Sequence, residues 1–85
     1  MAKSDLIEIP GIGKTFVEDF ARVNIHMISD LIDQNAEQLY CDLCRANDMV
    51  GHKTSKNYLY VIRMSIYYAN GGRDKSKLKW NAWKD

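Results

Sequence analysis

Residues 8–16, "EIPGIGKTF", place two glycines around one isoleucine in a chain otherwise rich in helix formers. Each glycine costs a helix interior about 1 kcal/mol relative to alanine and a proline about 3 kcal/mol, so the stretch is a break between helices. Pro10 keeps Ile9 out of the α region, which ends a short first helix of one to two turns carrying Leu6, Ile7 and Ile9, with Ser4 as its N-cap. Beyond the break, Phe16, Val17, Phe20 and Ala21 form one apolar stripe of a helix beginning near Lys14, and Glu18, Asp19 and Arg22 are expected to face water. Ile12 points inward and closes the wedge between the two helices.

A glycine turn opening directly into a helix has a chemical consequence. First-turn amides lack intrahelical acceptors and sit at the positive end of the helix dipole. Together they make an anion site, with phosphate its usual occupant. Gly11, Ile12 and Gly13 offer backbone, Lys14 adds a point charge, and Thr15 can donate its hydroxyl. Neither a dinucleotide fingerprint nor a P-loop is present, since no strand precedes the turn and the glycine spacing is too short.

The remaining pattern is helical throughout. Ile28, Leu31 and Ile32 suggest a short helix over "MISDLID"; Asn35 caps another whose inner positions include Ala36, Leu39, Tyr40 and Leu43. The stretch "NDMVGHKTS" interrupts the periodicity. Thr54 or Ser55 then caps the longest helix, apolar over so much of its circumference that it belongs at the centre of the core, and Gly71 and Gly72 end it. No alternating strand pattern occurs. The expected fold is all-α, four or five short helices in one domain over residues 1–85, with the hairpin at about 4–32 and a helical half at about 35–85.

The 85 residues are 46% hydrophobic, which is globular rather than disordered, and no apolar run approaches the roughly 20 residues of a membrane span. The first residues do not resemble a secretory signal, so a cytoplasmic location is expected. Net charge is only +1, but residues 1–50 carry four Lys/Arg against nine Asp/Glu and residues 51–85 carry eight against two. That basic second half suits a polyanion, and equally a solvated surface. In it Arg73, Lys75, Lys77 and Lys79 alternate with Trp80 and Trp83, a composition used by single-stranded nucleic-acid platforms; the two indoles, three residues apart, are expected to pack on the domain instead.

Cys41 and Cys44, spaced as "CDLC", with His26 and His52 provide four potential zinc ligands on paper. The pair lies within a helical pattern and lacks a glycine turn, so the reading is one core thiol and one half-exposed thiol, with no metal and no cofactor. Motifs for acid–base or nucleophilic catalysis are missing, and 85 residues leave no room for the second domain of a base-extruding enzyme.

The stretch "IPGIGKTFVEDFARVNIHMISDL" resembles a helix-hairpin-helix motif at Pro10, Gly11, Ile12, Gly13, Lys14, Phe20, Ile25 and Leu31. It departs from that motif at Val17, where a small residue is usual, and at Asn24, where a glycine is common. With "LYVIRMSIYYANGG" and "LKWNAWKD", nearly the whole chain resembles the bacterial pathogenicity-locus family of small helix-hairpin-helix proteins, some labelled mitomycin-resistance proteins, and more distantly the C-terminal domain of TfoX-type competence regulators. The resemblance implies a SAM-like orthogonal bundle whose hairpin amides grip nucleic-acid phosphates irrespective of sequence. On that reading Gly11, Ile12, Gly13, Lys14 and Thr15 bind the phosphate backbone, DNA in preference to RNA, and Lys75, Lys77 and Lys79 broaden the contact. The alternative is a protein-interaction adaptor or homodimer, favoured by the acids Glu18 and Asp19 near the hairpin. No membrane association is expected.

Overall fold

A computed structural model describes residues 5–84. Among them are three α-helices, α1 (Lys14–Ala21), α2 (Ala36–Met49) and α3 (Asn57–Ala69), and four short 3-10 turns at Leu6–Glu8, Ile28–Leu31, Lys75–Lys77 and Trp80–Trp83. No strand occurs among the described residues, so the fold is all-α. The first expected helix is the single turn Leu6–Glu8, and the proposed Ser4 cap lies outside the described residues. Asp5 anchors this end, its carboxylate accepting a 2.7 Å bond from the Ile28 amide.

α3 is the hub. Leu59, Tyr60, Val61, Ile62, Met64, Ser65 and Ile66 are all buried on it, and it packs against α2 and the turns at 28–31 and 80–83. Such breadth of burial follows from its nearly all-round apolar sequence. Leu6, Ile9, Phe20, Leu31 and Leu43 close over it from the other elements, each 0–1% exposed. α2, at 14 residues, slightly exceeds α3 at 13, because its helical pattern continues through Asn47 and Met49 instead of breaking at "NDMVGHKTS".

Every α-helix ends by the same device. A left-handed residue follows, and an amide beyond it reaches back to the last turn: Ile25 to Phe20 across Asn24 (φ 64°), His52 to Asn47 across Gly51 (φ 75°), and Gly72 to Tyr67 across Gly71 (φ 102°). Asn24 performs in α1 what glycine performs in α2 and α3. Gly72 is required for a different reason: a Cβ there would stand 2.3 Å from the Tyr67 ring.

At the N-termini one expected cap forms and one does not. The Asn35 side chain accepts from the Gln38 amide at 3.0 Å, opening α2. α3 instead starts at Asn57 after Lys56, with no side-chain cap. Thr54 is engaged elsewhere: its hydroxyl accepts a 2.8 Å bond from Asn47 Nδ2, tying α2 to the loop that leads into α3.

The orientation of α1 corrects the expected stripe. Asp19, expected in water, is 2% exposed, whereas Ala21, expected inside, is exposed. The core face of α1 is thus centred on Phe16, Asp19 and Phe20. Arg22 makes this tolerable: its guanidinium pairs with Asp19 Oδ1 and also donates 2.9 Å to Asn47 Oδ1, and Asn47 is itself fully buried. Tyr58 lies beside this network; burial foremost, then the nearby Asp19 carboxylate, raises its phenol above the ordinary value of 10.0.

Candidate nucleic-acid interface

The glycine break is a β-turn of defined type. Ile9, extended at φ −70° and ψ 125° as a residue before proline must be, accepts a 3.0 Å bond from the Ile12 amide. Pro10 and Gly11 occupy the two central positions, and Gly11 has φ +85°. Proline followed by a positive-φ glycine is the pattern of a type II turn. Ile9 and Ile12 are buried on either side of it, 1% and 5% exposed, so two apolar anchors hold the turn while Pro10 and Gly11 remain at the surface.

Gly13 is the N-cap of α1. It is extended, has no side chain to cap with, and a Cβ placed on it would meet nothing within 4 Å. The first backbone bond of α1 runs from Val17 to the Gly13 carbonyl at 3.1 Å. Consequently the amides of Gly13, Lys14, Thr15 and Phe16 have no acceptor among the described residues, the ordinary situation of an uncapped helix start. Gly13, Lys14 and Thr15 are exposed, and Phe16 is half-buried against Tyr58, ring centroids 4.6 Å apart. The donors therefore open to solvent at the positive end of the helix dipole, beside the Lys14 side chain.

A cleft of about 280 Å³ adjoins this corner. Gly11 forms one side, Val61 and Met64 of α3 line it, and the chain from Leu78 to Asn81 forms the other. Lys79 is thereby brought to the glycine turn from 68 positions away in sequence. Lys75 and Lys77 are exposed but outside this lining; Lys77 Nζ stands 5.8 Å from the Tyr67 ring centroid. Of the residues expected to carry binding, Gly11, Gly13, Lys14, Thr15 and Lys79 share the exposed corner or its cleft, and Ile12 contributes its backbone while its side chain is core.

The two indoles divide. Trp83 packs against the core, donates Nε1–H to the Lys77 carbonyl at 2.8 Å and offers its own carbonyl to Arg63 at 2.9 Å. Trp80 stays 43% exposed, lies parallel to the Tyr60 ring (12°, centroids 6.5 Å apart) and lines the cleft. Packing of both on the domain was the expectation. The spacing 80/83 puts them on one short turn, where Trp83 meets the Tyr67 ring of α3 and Trp80 the Tyr60 ring.

Neither cysteine is a core thiol: Cys41 is exposed and Cys44 half-buried. No group of three or more His, Cys, Asp or Glu residues among the described residues is placed to hold a metal ion. No helix among the described residues is long and apolar enough to cross a membrane.

The fold and this corner define the class first: a small all-α protein, one apolar helix packed by the other elements, with a glycine turn feeding an open helix N-terminus. The chain belongs to the Cdd1 pathogenicity-locus family, whose sequence model matches residues 2–85. Neither a curated protein nor a solved structure matches it.

Proposed function

We propose that residues 6–31 form a helix-hairpin-helix element and that the protein is a non-enzymatic, sequence-independent nucleic-acid-binding module, DNA being its preferred partner. The observation that carries this reading is the uncapped, solvent-open start of α1 at Gly13, next to Lys14, with Gly11 of the same turn lining a cleft that Lys79 also lines. Backbone amides and lysines recognise phosphate oxygens and ignore base identity. The two acids that weigh against it differ in effect. Glu18 is exposed, whereas Asp19 is buried and paired with Arg22, so only one of them projects its charge to an incoming phosphate. Lys75 and Lys77 would add long-range attraction from the basic C-terminal half.

The test is fluorescence anisotropy with labelled oligonucleotides over a range of salt concentrations. Wild-type affinity should fall linearly on a log–log plot against salt, with little dependence on sequence, and Lys14→Glu should bind markedly more weakly. Absent or salt-independent binding, accompanied by concentration-dependent self-association, would instead support the adaptor or homodimer reading.

A further inference from the structure

We infer that the cleft between Gly11 and Trp80 receives an unstacked nucleobase, which makes single-stranded nucleic acid the ligand of this corner. The inference rests on the phosphate-binding reading above and names its substrate class. Three features converge. The walls are those a π-face requires: the half-exposed Trp80 indole, with Met64 and Leu78 beside it, a flat aromatic surface next to polarizable and aliphatic groups. Every base can stack on such a surface, so this contact remains tolerant of sequence.

At about 280 Å³ the cleft has room for one ring system. Bases in a duplex are paired and stacked and cannot enter it without being extruded.

Polar groups of the kinds a nucleotide engages share the same lining. Asn81 provides amide donors and acceptor at the lining for a base edge, and Lys79 and the Gly11 backbone stand at the same cleft for the attached phosphate. Trp80 stays 43% exposed at the cleft, whereas Trp83 on the same turn is half-buried against the core.

The experiment compares a single strand, a duplex of equal length and an abasic strand of equal charge by anisotropy, on wild type, Trp80→Ala and Trp80→Phe, with circular dichroism verifying each fold. Wild type should prefer the single strand over both competitors. Trp80→Ala should weaken single-strand binding by about 5- to 140-fold, the range that loss of one stacked base implies, while changing duplex binding by less than about twofold. Trp80→Phe should fall between. The abasic comparison needs no variant, so a misfolded Trp80→Ala leaves the inference testable. Equal binding of normal and abasic strands, with salt dependence intact, overturns the base cleft and leaves the phosphate grip standing; no binding of any strand removes both. Saturation by a nucleoside monophosphate at the same concentration as the strand would also overturn the single-strand assignment.

Discussion

Gly13→Asp should stabilise the fold while abolishing binding, a combination that a purely structural glycine would not produce. The N-cap residue already has the extended backbone that a capping aspartate adopts, at φ −106° and ψ −176°, and a Cβ there meets nothing within 4 Å. The carboxylate can therefore accept from the free amides of α1 without displacing any neighbour. Aspartate exceeds glycine at this position by a few tenths of a kcal/mol as a cap. A negative charge at a helix start contributes about 0.3–1 kcal/mol, and losing glycine's freedom in the unfolded chain about 0.4–1 kcal/mol. The combined gain of roughly 1–2 kcal/mol corresponds to a rise in Tm of at least about 4–8 °C for a chain this size. Thermal melts followed by circular dichroism at neutral pH and low salt measure it. The same carboxylate occupies the donors and repels phosphate, so anisotropy should show binding lost. A lower Tm would mean that those amides already have partners or that the corner has another conformation, and the reasoning would be refuted.

Other substitutions probe the surrounding framework. Gly11→Ala should cost about 1–2 kcal/mol in urea unfolding, because φ is +85° while the added Cβ would make only an ordinary 3.5 Å contact with Met64; an unchanged midpoint would dispute the turn type. Asn47→Ala strips the Arg22 guanidinium and the Thr54 hydroxyl of a fully buried partner and should destabilise by about 1–3 kcal/mol, whereas a neutral result would show that the network is dispensable. Asp30 is held below its usual 3.8 chiefly by the His26 and Met27 amides that donate to it. With a folded value below the unfolded one, its stabilising effect is complete above about pH 4 and disappears as pH falls through the folded value. Asp30→Asn should flatten the acid limb of a stability–pH profile, and an unaltered slope would contradict the assignment.

What the sequence disclosed and what it concealed divide along local and long-range lines. The break at Pro10–Gly13, the start of α1 near Lys14, the Asn35 cap and the Gly71–Gly72 stop all depend on a few adjacent residues, and all appear where local chemistry puts them. The burial of Asp19 was illegible because Asn47, which accepts from Asp19's partner Arg22 three residues on, belongs to α2, and no local pattern specifies the contact between α1 and α2. Thr54 looked like a helix cap by type and position, and only the fold reveals that Asn47 claims its hydroxyl. The cleft was hidden for the same reason. Gly11, Met64 and Trp80 become neighbours only when the C-terminal turn folds back over α3, and the one hint in sequence was an indole placed among lysines.

The central claim concerns particular backbone amides, and amide-resolved NMR addresses them directly. In a titration of the ¹⁵N-labelled protein with a short single-stranded oligonucleotide at low salt, the account predicts that the earliest and largest shifts fall on Gly11, Gly13, Lys14 and Thr15, followed by Lys79 and the Trp80 indole. Shifts confined to α2, or none at the glycine corner while binding proceeds, would contradict it.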